Sequence, residues 1–241
     1  MSDYNLEGFQ NGLWELHVEL SEEQIKQFLQ YYELLVEWNS FMNLTAITEF
    51  DQVITKHFLD SLSLIKVYDL KKEVSVMDMG TGAGFPGIPL KIAFPNLKVT
   101  LADSLNKRIL FLQEVIDALK LQNISAIHGR AEEMAKQENF RESYDLCVSR
   151  AVANLSTLSE YCLPFVRIGG KFISYKSGEI EEEQKNAKNA VFLLGGKIEK
   201  IHKFELDGTE LKRSFVVIDK VKKTPKLYPR KAGTPAKNPL S

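Results

Sequence analysis

The chain has 241 residues, 44% of them hydrophobic, with 31 Lys and Arg against 32 Asp and Glu. That length buries a large core and favours one α/β domain with an extension over two equal domains. No apolar run approaches the roughly 20 residues of a membrane span. The N-terminus has neither the basic nor the apolar region of a signal peptide, so a cytoplasmic location and no membrane partner are expected. Cys147 and Cys162 lack metal spacing and read as buried reduced thiols, and His17, His57, His128 and His202 are too scattered to suggest a metal site.

Charge is unevenly spread. Residues 1–70 hold 12 acids and three lysines, whereas residues 220–241 hold seven Lys and Arg and no acid, which marks the tail as the polyanion-binding candidate.

In chain order, Ser21-Glu-Glu-Gln24 has the form of a capping box, and Ile25, Phe28, Leu29, Tyr32, Leu35 and Val36 follow at helical spacing. A helix of about four turns is expected from Ser21 to near Asn39. Thr48 is placed to cap a second helix with Ile54, Phe58, Ser61, Leu62 and Ile65 on one face. Residues 1–70 are thus expected to form an N-terminal helical cap, with Tyr31, Tyr32 and Trp38 as core aromatics. His57 and Asp60 are neighbours on the second helix, as a local hydrogen-bonded pair or as groups near a site.

Residues 74–90 read as a buried strand entering a glycine loop and then a helix. Val74, Val76, Met77 and Met79 suit a strand covered on both faces, Asp78 closes it, and Gly80, Gly82 and Gly84 permit positive φ and close backbone approach. Pro86 opens a helix whose free N–H groups are expected to face the occupant of the loop. Gly82, Gly84 and Gly87 fit dinucleotide spacing, while Asp78, Gly80, Gly82 and Gly84 fit the Asp-x-Gly-x-Gly-x-Gly turn of adenosylmethionine-dependent methyltransferases. Both cofactors carry adenosine, so both require an acid at the end of the next strand to hold ribose hydroxyls. Asp103 stands there, 23 residues after Gly80.

From residue 74 strand and helix alternate: strands over 74–79, 98–102, 124–128, 144–149 and 171–176, and helices over 86–94, 105–120, from 131, over 154–166 and over 179–194. This is the pattern of a doubly wound parallel sheet. Two further apolar stretches, 197–206 and 213–219, are joined by a short turn around Asp207-Gly-Thr209, too short for a crossover, so they should pair antiparallel. That ending favours methyl transfer over nicotinamide chemistry, for which no hydride-partner acid is evident.

Three spots fall at carboxyl ends of strands, where open α/β sheets bind ligands. Gly129-Arg-Ala131-Glu132 can address an adenine or simply start a helix. Arg150, in Ser149-Arg-Ala151, has either a ligand or a carboxylate partner and sits where an acceptor is met. Lys176, in Tyr175-Lys-Ser177, faces the acceptor or covers its strand end. Glu179 to Glu183 read as a solvated helix face. The tail, with four of the eight prolines, is expected as an extended basic arm, either a solubilising end or one in which Tyr228 adds a stacking group to the phosphate-binding Lys222, Lys223, Lys226, Arg230 and Lys231.

Together these stretches resemble the bacterial small-subunit ribosomal RNA guanine-N7 methyltransferases, also called glucose-inhibited division protein B. The resemblance rests on Glu37-Trp38-Asn39 with Asn43-Leu44-Thr45, Lys56-His-Phe-Leu-Asp-Ser61, residues 78–90, Asp103-Ser104-Leu-Asn-Lys-Arg108 with Phe111-Leu112, Arg130-Ala-Glu132, Ser149-Arg-Ala151 and Tyr228-Pro-Arg-Lys-x-Gly-Thr-Pro235. It implies a Rossmann-like class I methyltransferase fold: a mostly parallel sheet with an antiparallel final hairpin over residues 71–219, the helical cap over 1–70 and the arm over 220–241. It implies S-adenosyl-L-methionine as cofactor, with Gly80, Phe85, Ala131, Glu132 and Arg150 matching the family's contacts, to which the reading of the loop and the strand end adds Asp78, Gly82, Gly84, Asp103 and Ser104. The acceptor it implies is a guanine in the decoding region of 16S ribosomal RNA, with Arg150 and Lys176 at the reacting groups, in free RNA or the small ribosomal subunit. The chain is expected to act as a monomer. Guanine N7 is an unprotonated lone pair, so in-line transfer needs neither metal nor general base, and positioning is the main task. A ribosome-assembly factor with a vestigial cofactor site is the alternative, against which the retained glycines and Asp103 stand.

Overall fold

The computed structural model describes residues 4–150, 152–206 and 209–240. The helices are α1 Glu7–Glu15, α2 Glu22–Met42, α3 Phe50–Val53, α4 Asp60–Leu62, α5 Gly87–Ala93, α6 Asn106–Ala118, α7 Ala131–Met134, α8 Leu155–Cys162, α9 Glu181–Leu193 and α10 Thr234–Lys237. The strands are β1 Ser75–Met79, β2 Lys98–Asp103, β3 Ile124–His128, β4 Tyr144–Arg150, β5 Val166–Ser177, β6 Gly196–Glu205 and β7 Lys212–Lys220. They form one sheet in the order β3-β2-β1-β4-β5-β7-β6. β1 pairs in parallel with β2 and β4, β2 with β3, and β4 with β5. β7 is antiparallel to β5 and to β6, as the short linker required; Asp207 and Gly208 of that turn lie outside the described residues.

Register brings the ligand-facing ends level. Met79 lies opposite Ala102, Asp103 opposite His128, and Arg150 opposite Tyr175. The two cysteines are buried and free. No described helix is long and apolar enough to cross a membrane.

The capping box at Ser21 and Gln24 forms, with Gln24 N donating to Ser21 Oγ and Ser21 N to Gln24 Oε1. The next helix, α3, has Glu49 as its N-cap and no side-chain cap, so Thr48 does not take the capping role expected of it; its carbonyl instead accepts from the Tyr32 hydroxyl. Between α3 and α4 the backbone widens into a π-helical stretch, Ile54–Leu59. Tyr31 is fully buried, its ring 5.4 Å from that of Phe58, 5.5 Å from that of Phe85 and 6.5 Å from that of Phe111. Its hydroxyl donates to the Ala83 carbonyl. The N-terminal helices and the glycine loop therefore share one core.

The tail differs from an extended arm. Residues 221–240 fold back on the domain and include the single-turn helix α10. Arg141 Nη1 donates to the Tyr228 carbonyl and Nη2 to the Thr224 carbonyl, at 3.0 and 2.9 Å. Lys220 is buried, donating to the Leu163 carbonyl and Thr224 Oγ1, and burial pushes its ammonium down to about 8.

Candidate active site

The loop after β1 is held by its own residues. Gly80 N and Thr81 N both donate to the Ala102 carbonyl, at 2.8 and 3.1 Å. Asp78 Oδ2 accepts from Thr81 Oγ1 at 2.6 Å and from Gly87 N at 2.8 Å, while Oδ1 is buried without a partner. Burial lifts this carboxyl to about 6. Ile88 N donates to the Gly84 carbonyl. Thus the first donors of α5 are used internally and do not face a ligand, which corrects the expectation for that helix. A Cβ at Gly87 would meet Leu101 Cδ2 at 2.3 Å and Asp78 Oδ2 at 2.8 Å, so this glycine serves close helix–strand packing.

A cleft of about 270 Å³ opens beyond the strand ends, lined among others by Gly80, Asp103, Ser104, Ala131, Glu132 and Val152. Five residues of the expected cofactor set thus meet in one place: Gly80, Asp103, Ser104, Ala131 and Glu132. Gly80 sits at φ +71°, and a Cβ there would meet Val152 Cγ2 at 2.6 Å. Asp103 is 3% exposed; Oδ2 accepts from Gly82 N at 3.0 Å and Arg108 Nη1 at 3.1 Å, and Oδ1 from Leu105 N at 2.9 Å. Each carboxylate oxygen has two lone-pair directions, so Oδ1 keeps one for a hydroxyl. Glu132 is 4% exposed and accepts from Gly233 N at 2.8 Å. Buried acids that keep a free acceptor direction suit hydroxyl and amine groups of a nucleoside, so the residues fit an adenosyl cofactor.

Asp78, Gly82, Gly84, Phe85 and Arg150 of the expected set do not line this cleft. Asp78 and Gly82 act behind it, Asp78 by bracing the loop and Gly82 by pinning Asp103. Gly84, at φ +99°, lies against Ile88 and the Tyr31 hydroxyl. Phe85 is buried in the aromatic core, stacked on the His57 ring at 4.4 Å.

Arg150 belongs to a second cleft, of about 480 Å³, lined among others by Lys56, His57, Asp60, Lys176, Glu183 and Arg213. The carboxylate partner exists: Arg150 Nη1 donates to Asp60 Oδ2 at 2.8 Å, while Arg213 Nε donates to Asp60 Oδ1 at 2.8 Å. Arg150 Nη2 lies 3.3 Å from His57 Nδ1, and its guanidinium lies 5.1 Å from the Phe85 ring centre. Nδ1 also lies 3.1 Å from the Lys56 carbonyl, and Nε2 lies 3.0 Å from Thr45 Oγ1, so both ring nitrogens are engaged. Burial, and then the Arg150 charge, lower the His57 imidazole to about 3, which keeps it neutral. His57 and Asp60 are therefore not a local pair; Asp60 holds Arg150 and His57 lies against it. Ala151, beside it, lies outside the described residues.

Lys176 Nζ donates to Glu183 Oε1 at 2.6 Å and to the Ala153 carbonyl at 2.7 Å. Ala153 lines the first cleft and Lys176 the second, so the two meet at the end of β4. Glu183 also accepts from Leu155 N, which turns one acid of the expected solvated face inward.

The tail residues divide. Lys222, Lys223, Lys226 and Lys231 are exposed. Arg230 is not a free RNA contact: its Nη2 donates at 2.7 Å and its backbone N at 2.7 Å to Glu160, a carboxylate that is 0% exposed. Tyr228 is half-buried and packs against the core. Arg213 and Gly233 were missed by sequence reasoning. Arg213 lies on a strand that gives no motif, and Gly233 acts through its amide, although the segment containing it is part of the resemblance.

A family profile described as rRNA small subunit methyltransferase G matches residues 24–215. The chain is 59% identical over 232 residues to the ribosomal RNA small subunit methyltransferase G of Lachnoclostridium phytofermentans, covering 96% of each. It is 52% identical over 230 residues to the protein of that name from Alkaliphilus metalliredigens, covering 95% of this chain and 96% of that one. A solved SAM-dependent methyltransferase from Aquifex aeolicus superposes with a TM-score of 0.54 at 16% identity, over 73% of this chain and 96% of that one, a likeness of fold alone. On this evidence the chain belongs to the rRNA small subunit methyltransferase G family.

Proposed function

We propose that this chain transfers a methyl group from S-adenosyl-L-methionine to N7 of a guanine in the decoding region of 16S ribosomal RNA. The observation that carries this reading is the meeting of two clefts at the end of β4, one lined by buried acids suited to a nucleoside and one lined by Lys56, Arg150, Lys176 and Arg213. When bound, the cofactor supplies an electrophilic sulfonium methyl. Asp103 holds ribose hydroxyls, Glu132 addresses the adenine, and Gly80, Ser104 and Ala131 bring backbone close to the nucleoside. Arg150, fixed by Asp60, and Lys176 orient the acceptor. N7 bears no proton at neutral pH, so these residues position and exclude water without removing a proton; alignment of this kind is worth roughly 7–11 kcal/mol.

The N7 edge faces the deep groove of A-form RNA, so the acceptor must be a loop or splayed-out guanine. Lys222, Lys223, Lys226 and Lys231 lend phosphate attraction. The setting is the cytoplasm, with 16S ribosomal RNA or the small subunit as partner and the chain acting as a monomer. The test is tritiated-methyl transfer to RNA from cells lacking the protein, with the product nucleoside identified by mass. Incorporation as 7-methylguanosine supports the reading; no incorporation, or another nucleoside, refutes it.

A further inference from the structure

We propose that the C-terminal segment 228–237 is a wall of the cofactor cleft, and that the Gly233 amide is the group that positions Glu132. The inference rests on the reading of that cleft as the adenosylmethionine site. Glu132 is buried and lines the cleft, and among the described residues its hydrogen bond comes from Gly233 N, 101 positions away in sequence. Ala236, one turn on, lines the same cleft.

The segment is clamped so that this amide has a defined place. Arg230 binds the buried Glu160 with its backbone N and guanidinium, and its Nη2 also donates to the Asn238 carbonyl at 2.8 Å, closing a loop that contains Gly233 and Ala236. Thr157 Oγ1 of α8 donates to the Pro235 carbonyl at 3.0 Å, and Pro235 is buried. Gly233 has φ +83°, a left-handed conformation that glycine adopts without steric cost and that aims its N–H at Glu132. A buried carboxylate with one amide donor keeps acceptor capacity for a ligand amine, and its direction is set by that amide. The tail therefore completes the cofactor site, a role separate from any phosphate contact made by its lysines.

The test is calorimetric binding of S-adenosylhomocysteine to the full chain, to a chain ending at Ala232, and to full-length Ala236→Trp. Ending at Ala232 keeps Arg230 on Glu160 but removes the Gly233 amide. Ala236 is exposed, so the indole enters the cleft without disturbing the core. Both variants are expected to bind at least about tenfold more weakly than the full chain, the loss of a hydrogen bond to a charged group being of that size. In a Glu132→Ala background the truncation should cost clearly less, because the amide acts through that carboxylate. Wild-type affinity in folded Ala236→Trp overturns the wall, and additive losses overturn the positioning role. If the full chain itself does not bind the probe, the reading of the cleft fails instead.

Discussion

Asp60 binds Arg150 at 2.8 Å across 90 positions of sequence, so the N-terminal helices fix the guanidinium at the end of β4. Lys56 and His57 of the π-helical stretch Ile54–Leu59, and Asp60 directly after it, line one cleft. Asp60 also holds Arg213, which leaves both of its oxygens engaged.

Replacing Asp60 by Ala should cost about 3–5 kcal/mol of stability, since two guanidinium groups lose a buried counter-charge. Asp60→Asn keeps one acceptor and should cost less. In either variant, and in Arg150→Ala, methyl transfer per folded molecule should fall with little change in cofactor affinity. Urea unfolding and turnover measured together separate the two effects: normal turnover in the folded fraction would make the Asp60–Arg150 pair a purely structural brace.

Much of this site can be traced to local signals in the chain. The glycine run after an apolar strand and the acid 23 residues on located the first cleft, because both are dictated by backbone geometry within one βαβ unit. The antiparallel pairing of β6 and β7 followed from a linker too short to cross the sheet. The partner of Arg150 lay 90 positions upstream, beyond what helical spacing specifies. The tail misled for a different reason: prolines and lysines argue for solvated chain, while its anchor, Glu160, lies 70 positions upstream and is 0% exposed. Phe85 sat inside the motif, yet its side chain completes the core under Tyr31.

Neutral His57 gives a pH signature. Its folded value is about 3 against an ordinary 6.5, so between those limits the unfolded chain holds a proton that the native chain does not. Stability from this group is present above the ordinary value and is lost as pH falls toward the folded one. His57→Asn keeps a polar side chain at this position and does not titrate there. The variant should gain about 2 kcal/mol on wild type between pH 7.5 and pH 5, at 1.36 kcal/mol per unit. Parallel urea curves at the two pH values check this; an unchanged difference would show that His57 is not held neutral by burial and Arg150.

Asp103 has two duties that substitution can separate. Its carboxylate pins Gly82, Leu105 and Arg108, and it faces the cleft. Asp103→Ala should weaken S-adenosylmethionine binding by about 1.5–3 kcal/mol, the size of a hydrogen bond to a charged group. Asp103→Asn should recover part of it by keeping an acceptor for one backbone amide. RNA affinity should barely move. A drop in melting temperature with unchanged cofactor affinity would leave Asp103 as a loop anchor only.

The four exposed tail lysines can be tested without removing the tail. Deleting it would take Arg230 from the buried Glu160, and loss of one partner of a buried pair costs about 3–5 kcal/mol. Truncation therefore mixes folding with RNA contact. Changing Lys222, Lys223, Lys226 and Lys231 together to Gln removes four charges, keeps polar side chains and leaves the hydrogen bonds that clamp the segment. The cost in stability should stay within about 1 kcal/mol, chiefly from the Lys222 ammonium 5.8 Å from the Phe192 ring centre. Cofactor affinity should be unchanged, because Gly233 and Ala236 keep their places. RNA affinity should fall and its dependence on salt flatten, by roughly 2–3 in the slope of log affinity against log salt if three or four phosphates are released, at about 0.7 each on single strands. An identical salt slope in the quadruple variant would transfer the phosphate contacts to Lys56, Arg150, Lys176 and Arg213 around the second cleft, and leave the tail as part of the cofactor site alone.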